Sequence, residues 1–430
     1  MRELYDITIV GGGMVGASLA VALAPLGLKV ALVEAVAHDS ASQPSFDERT
    51  TALSNASRRI LETLGVWRAV EPLATPIRKI HVSDQGRFGF ARIDAAEQGL
   101  AAMGYVVPNR ALGAALWSQL AAQTNIHVHC PAQVTGVAAR DDAVTVEVAA
   151  IGGGAPAAPA APAAATGAAP APAAAPASID TRLVVAADGA QSAVRSAFGI
   201  EAQSRDYGQT AIITTVLPQR FHDHVAYERF TDSGPLALLP LDGGRCTLVL
   251  TLNAASADAA LKWSDGEFLA EVQRRFGFRL GRFLKVGRRV GYPLSLTRAA
   301  RTSAGRCVIV GNAAQGLHPV AGMGFNLGLR DVACLAELIA DHRRDPQFDA
   351  GASALLAEYD AWRADDRRGV IAFTDGLVRV FANPLGAVRR LRNAGLLAFD
   401  LLPPAKAALS RLSTGAGGRV PKLARGVALQ

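Results

Sequence analysis

"GNAAQGLHPVAGMGFNLGLRD", residues 311–331, follows the apolar run "RCVIV" (306–310) and carries five glycines, one histidine and one proline before it turns helical. Glycine has no Cβ, so such a run beside a helix start leaves room for a ligand to approach the main chain. The first-turn N–H groups of a helix have no partner within it and point at whatever sits there. The "GMGFN" segment therefore predicts a helix opening whose amides, from Gly322 to Asn326, face a hydrogen-bond acceptor.

The N-terminus supplies a second such opening. It reads strand ("YDITIV"), glycine turn ("GGGMVG"), helix ("ASLAVALAPLG") and strand ("KVALVEA"), with Gly27 as the helix stop. Gly11, Gly13 and Gly16 form GxGxxG at the junction: one glycine for the tight turn, one for approach of a pyrophosphate, one for helix–strand packing. Glu34 closes the second strand at the spacing expected of a carboxylate that accepts ribose hydroxyls, which suits FAD and NAD alike. Further on, "LVVAADGAQSAVR" (183–195) is again strand, turn and helix. Taken alone, its Asp188 is either a helix cap or part of a site.

Between these pieces, residues 50–70 carry apolar positions at helical spacing, ended by Gly65. A helix at 109–123 leads to the strand "IHVHC", and 133–150 reads as a meander of two strands. Residues 152–177 are almost wholly Ala, Pro and Gly, a composition that denies both helix and core and is expected to be disordered. Residues 204–300 alternate as an antiparallel sheet with "DGG" (242–244) at a hairpin turn, and the chain is helical from about 355. The predicted division is FAD-binding at 1–75, 106–203 and 301–350, substrate-sheet strands at 76–105 and 204–300, and C-terminal helices at 351–430. The fold class is thus α/β, a nucleotide-binding domain split in sequence by an inserted antiparallel sheet, with a helical C-terminus.

Composition sets bounds. Half of the 430 residues are hydrophobic, enough for a sizeable core, and the net charge of +7 is scattered rather than gathered in a basic stripe with aromatics. Nucleic-acid binding is not expected. The four widely spaced cysteines, with no CxxC, read as free thiols in a reducing compartment. The N-terminus lacks the charged region and cleavage site of a signal peptide, and no apolar run reaches the ~20 residues of a membrane span, so a cytoplasmic protein is expected. The basic, apolar C-terminal segment is either a solvated face or a peripheral contact with the inner membrane.

The pieces "DITIVGGGMVGASLAVAL", "DERTTALSNASRRILETLGVW", "GYVVPNRALGAALW", "LVVAADGAQSAVR", "GNAAQGLHPVAGMGFNLGLRD" and "RNAGLLAFDLLPPAK" resemble class A flavin monooxygenases of the para-hydroxybenzoate hydroxylase fold. More narrowly they resemble the ubiquinone-biosynthesis hydroxylases of the UbiH/UbiF/VisC type, over nearly everything except 152–177. The resemblance implies a Rossmann-like FAD-binding domain in which Gly11, Gly13 and Gly16 hold the pyrophosphate and Glu34 the ribose. Arg49, Arg110 and Val134 match further cofactor contacts, Asp188 matches the "DG" motif, and Asn312 stands where the wider superfamily has an aspartate. Gly322, Gly324, Phe325 and Asn326 would lie at the flavin's pyrimidine edge, while His318 and Pro319 would lie beside the flavin ring as the catalytic pair. Gln315 replaces a common histidine, and Met323 a glutamine, with no physical account of the latter.

The implied chemistry is hydroxylation of a lipid-soluble aromatic, a polyprenylated phenol, through a flavin C4a-hydroperoxide, with O2 and NAD(P)H or another reductant, in a ubiquinone-biosynthesis complex. The apolar strands "PLALLPL" and "CTLVLTL" would roof the flavin. Hydroxylases of other hydrophobic aromatics and FAD-dependent isoprenoid reductases share these motifs, as a second reading.

Overall fold

The glycine turn at residue 11 sits at the centre of a parallel sheet built from three separate stretches of chain. A computed structural model describes residues 3–37, 40, 49–151, 177–317, 322–382, 386–415 and 417–430. The strand Leu4–Val10 pairs in parallel with Val30–Val33 on one side and Ala177–Ala186 on the other. Ile126–His129 and Cys307–Ile309 extend the sheet at its two ends, also in parallel. Such strands are covered on both faces, which is why "VALV" is buried throughout rather than alternating. Ile7 and Ile9 face the helices Met14–Leu23, Asn109–Ala121 and Met323–His342, whereas Val10 and Val33 face the antiparallel pair Ala132–Ala139 and Val144–Ala150. The Ala/Pro-rich segment expected to be disordered lies outside the described residues, between the paired ends Val148 and Ala177.

A second sheet has nine strands. Its middle runs Val290–Ala299, Ala202–Pro218, Cys246–Asn253, Gly234–Pro240 and Val225–Thr231, all antiparallel. Lys79–Asp84 then joins in parallel beside Val225–Thr231, so residues near 80 share a sheet with residues near 230. The "DGG" hairpin turn forms as read, with Gly243 and Gly244 at positive φ.

Two readings need correction. Within 50–70, Thr50–Ser54 is a strand paired with Gly104–Pro108, and the helix starts only at Asn55. The adjacent threonines favour extended backbone, and Ser54 caps the helix by accepting from the Ser57 N–H. Within 204–300, two helices, Ala254–Lys262 and Asp265–Phe276, cover the outer face of the sheet. The second opens on a capping box, Ser264 with Glu267, a signal present in the sequence.

The three C-terminal helices, Ser353–Ala382, Gly386–Leu401 and Pro403–Ser413, follow the order expected. Cys246, Cys307 and Cys334 are buried and Cys130 partly so, all as free thiols. Burial pushes the Cys246 and Cys334 thiols up to about 12.

Phe268 anchors the capped helix to the sheet with no exposed surface. Phe268→Ala is expected to lower the unfolding free energy by about 3–5 kcal/mol, measured by urea denaturation. Phe278→Ala, at a residue 66% exposed, should stay within about 0.5 kcal/mol.

Candidate functional site

Gly11 leaves the first strand with φ +104°, and its N–H donates to the Val33 carbonyl at 2.8 Å. A Cβ there would lie 2.5 Å from the Ala187 carbonyl oxygen, so no other residue fits between the two strand ends. A Cβ on Gly16 would run into the carbonyl of Gly11, which is how helix and turn pack so closely. The helix that follows has Gly13 at its N-cap, without a capping side chain. Glu34, buried at the end of the second strand, accepts from the Gly12 N–H with one carboxylate oxygen and from the Val36 N–H, at 2.8 Å, with the other. Each oxygen keeps a second lone pair for a ligand hydroxyl.

The second loop comes from the strand Ala177–Ala186. Asp188 accepts from the Val194 N–H at 3.2 Å with Oδ2, while its Oδ1 is buried and, among the described residues, without a partner. Ser192 caps the helix Ala193–Ala197 through the Arg195 N–H at 2.9 Å. Arg195 then donates from Nη1 to the carbonyls of Ala190 and Ala313, both at 2.9 Å. One guanidinium thus ties the second loop to the third.

The third loop is the turn Gly311–Ala313, and its geometry is set from below. Asp331, 1% exposed, accepts with Oδ2 from the Gly311 N–H at 3.0 Å and from Gln315 Nε2 at 2.8 Å. Its Oδ1 accepts from Arg363 Nε at 2.8 Å. Gln315, in turn, accepts from Arg367 Nε at 2.6 Å. Arg363 is fully buried; burial opposes its charge, but the nearby Asp331 outweighs that and holds its pKa above the usual guanidinium range. Asp366 accepts from both Arg363 and Arg330, whose remaining N–H groups donate to the carbonyls of Gly415, Gly417 and Arg419. The helix Met323–His342 has Gly322 at its N-cap, φ +60°. Asn326 in its first turn donates to the carbonyls of Ala52 and Gly322 and accepts from the Ser54 N–H, each at 2.8 Å. Met323 is buried in a small cluster with Leu327 and Val370.

The three loops open onto one cavity of about 1360 Å³. Gly11, Gly13, Glu34, Arg49, Val134, Asp188 and Asn312 line it, as do Gly322, Gly324 and Phe325 at the helix opening. Gly16 lies behind the turn, and Asn326 joins a strand to a helix. Arg49 stacks on Tyr292 with 4.8 Å to the ring centre. Arg110 is exposed on its helix and does not line the cavity, whereas its neighbour Asn109 does. His318 and Pro319 lie outside the described residues.

Beyond the loops the cavity continues as an apolar arm. Ile80, Val82, Ile93 and Leu239 of the second sheet form one wall, and Leu396, Phe399 and Leu409 of the C-terminal helices form another. Glu228 also lines it, its carboxyl pushed up to about 7 by burial. Sequence reasoning passed over Asp331, Arg363 and Glu228. The first of these ends the quoted "GLRD", but nothing in the pattern says that it turns back onto Gly311.

Comparison with known proteins decides what this architecture belongs to. Residues 4–374 match the family model for the FAD binding domain. The chain is 38% identical to the ubiquinone hydroxylase UbiL of Rhodospirillum rubrum, over 99% of its own length and 94% of that protein. It belongs to the class A FAD-dependent monooxygenases. The identity is 31% to the 3-demethoxyubiquinol 3-hydroxylase of Escherichia coli, covering 92% of this chain and 94% of that one. Among solved structures, p-nitrophenol 4-monooxygenase PnpA from Pseudomonas putida DLL-E4 shares the fold with a TM-score of 0.73 at 21% identity, over 98% of this chain and all of that one.

The flavin monooxygenase uses FAD and O2, with a reduced nicotinamide as the donor typical of the family. Its residues fit the cofactor: one turn in which a Cβ would not fit at Gly11 or Gly16, a buried carboxylate with spare lone pairs and, among the described residues, an orphaned Asp188 oxygen surround one cavity.

Asp331→Ala in this monooxygenase leaves Arg363 buried beside Asp366 alone. Unfolding free energy is expected to fall by about 3–5 kcal/mol, read by urea denaturation. A loss under about 0.5 kcal/mol would show that the turn holds without it.

Proposed function

We propose that the chain hydroxylates the aromatic ring of a polyprenylated phenol in ubiquinone biosynthesis. The single observation that carries this is the apolar arm, which continues the cofactor cavity across a sheet face and between C-terminal helices. A small polar aromatic needs no such extension; a ring with an isoprenoid tail does. The activities for which the relatives are named, ubiquinone hydroxylase and 3-demethoxyubiquinol 3-hydroxylase, point the same way.

In this reading Gly11, Gly13 and Gly16 make room for the pyrophosphate at a helix N-terminus. Glu34 accepts from the ribose, Val134 packs at the adenine, and Asp188 and Asn312 face the ribityl chain. The helix opening at Gly322, Gly324 and Phe325 stabilises negative charge at the pyrimidine edge. Arg49 contacts the cofactor from the cavity wall, while Asn326 positions the helix opening. FAD, reduced by a nicotinamide or another donor and reoxidised by O2, supplies the electrophilic oxygen. The chain's task is to hold the aromatic ring against it and keep water out.

The helix Gly386–Leu401 and the residue after it expose Leu391, Leu401 and Leu402 beside basic Arg390. Among the described residues no helix is long and apolar enough to cross a membrane. This face is suited to peripheral contact with an anionic membrane or a biosynthetic complex, where a lipid-soluble substrate resides.

The test is direct. Purified holoenzyme, given reduced nicotinamide, O2 and a farnesylated phenol, should yield a product heavier by one oxygen atom in mass spectrometry. Reductant consumption that gives only hydrogen peroxide, with every prenylated phenol tried, sinks the reading. Gly13→Val, at a φ of −62° open to any residue and on the cavity wall, should purify folded by circular dichroism yet with most of its flavin absorbance lost. Full flavin content in that variant removes the pyrophosphate assignment.

A further inference from the structure

Among the described residues Glu228 is the one carboxyl on the sheet wall of the apolar arm. On the strand Val225–Thr231, alternate residues Ala226, Glu228 and Phe230 line the cavity. Its register partners are Val82 on one side and Ala237 on the other, both cavity residues without polar atoms in their side chains. Among the described residues its carboxyl has no hydrogen-bond or ion-pair partner. Glu228 is partly buried, its carboxyl open only to the apolar cavity, and a carboxylate in such a wall without a protein partner is costly unless something in the cavity satisfies it. The missing partner is then a ligand.

We propose that Glu228 receives the phenolic hydroxyl of the substrate and takes up its proton. The inference rests on the reading of the arm as the site of a prenylated phenol. In the step, the phenol O–H bond breaks, an O–H bond forms at a Glu228 oxygen, and the electron pair stays on the phenolic oxygen. That pair raises electron density at the ring carbons ortho and para to it, where the new C–O bond forms. The resulting dienone passes its ring proton to water, and its carbonyl oxygen recovers the proton that Glu228 holds, which leaves Glu228 a carboxylate again. Atoms and electrons balance without another reactant beyond the oxygen that the enzyme's activity supplies.

The surroundings suit that role. An ordinary carboxylate is about six pKa units below a phenol, too weak a base to share its proton. Burial raises Glu228 to about 7, which narrows the gap by more than two units. Among the described residues no other charge shifts it. Strand Gly234–Pro240 brings no titratable group to this face. Strand Lys79–Asp84 brings Asp84, which Arg392 of the helix Gly386–Leu401 neutralises at 2.6 Å. The cavity residues of the helices Ser353–Ala382 and Pro403–Ser413 are Phe373, Leu377, Val380, Phe381, Ala408 and Leu409, all apolar.

The experiment compares binding of 2-farnesylphenol and its methyl ether, 2-farnesylanisole, to oxidised holoenzyme by equilibrium dialysis. As carboxylate, Glu228 accepts from the phenol and repels the ether oxygen. As acid, it donates to either. The phenol should therefore be preferred by about ten- to a hundredfold near pH 8.5, with the preference falling towards unity near pH 5.5. In Glu228→Gln the preference should be small and flat with pH; Glu228→Asp should restore part of the slope.

Folding does not confound the comparison. The carboxyl is raised from 4.5 to about 7 in the folded protein, so the stability it contributes is full below 4.5 and lost as pH rises through 7. The glutamine variant lacks that loss and should unfold no more easily at alkaline pH. A preference in the wild type that ignores pH, or one that survives unchanged in the glutamine variant, overturns the role of Glu228 while leaving the substrate reading intact. Binding of neither probe to the wild type overturns both.

Discussion

The quoted glycine-rich stretch begins at Gly311 and ends at Asp331, and those two residues are hydrogen-bonded to one another at 3.0 Å. Everything the site does depends on that closure. A turn of three residues after a strand has no conformation of its own to defend, and a carboxylate in the core is unfavourable unless paired. Here each resolves the other's difficulty. Asp331 fixes the turn through a backbone amide and Gln315, and Arg363 neutralises Asp331 from the neighbouring helix. Because the same Asp331 sits on the helix Met323–His342, the turn and the helix opening are held as one rigid piece. The spacing between Asn312 and the amides at Gly322 to Phe325 is then a property of the core, not of a loop.

The network also explains why the long C-terminal helices follow the nucleotide-binding half in sequence. Arg363 and Asp366 lie on the helix Ser353–Ala382, and Arg330 carries the chain of contacts on to the carbonyls of residues 415–419. At the other end of that helix, Phe381 stacks on Phe230 of the second sheet with the rings 15° from coplanar. Arg392 and Asn393, on the next helix, both donate to buried Asp84, and Asn393 also accepts from the Gly89 N–H. The helices are therefore bolted to the cofactor side by charge and to the substrate sheet by charge and aromatic contact, with the cavity between.

What the sequence disclosed follows from how local each feature is. The βαβ start, Gly27, the meander, the "DGG" turn and the helical C-terminus all rest on periodicity and turn chemistry within about ten residues. So does the GxGxxG with Glu34. The strand at Thr50–Ser54 escaped because its partner, Gly104–Pro108, is some fifty residues away and its own apolar positions also fit a helix. The helices at 254–276 were overlooked although Ser264 and Glu267 announce one of them. Asp331 and Glu228 could not be read in advance. An aspartate on a helix and a glutamate in a strand look like surface residues until long-range packing buries them.

Asn326 shows the same limit from the other side. Its sequence neighbours place it at the cofactor, and the helix opening does line the cavity, yet its own amide is consumed by Ala52, Ser54 and Gly322. Glycine at 322 and 324 removes side chains from the opening, which leaves the first turn without a cap and without a wall to lean on. A residue that joins the first turn to the strand Thr50–Ser54 supplies that wall through three hydrogen bonds at 2.8 Å. A main-chain anion site must be bare to admit its ligand and stiff to hold its dipoles in place. Bareness comes from the glycines and stiffness from the asparagine, so a residue type chosen for the support of the site is written in the same motif as those that form it.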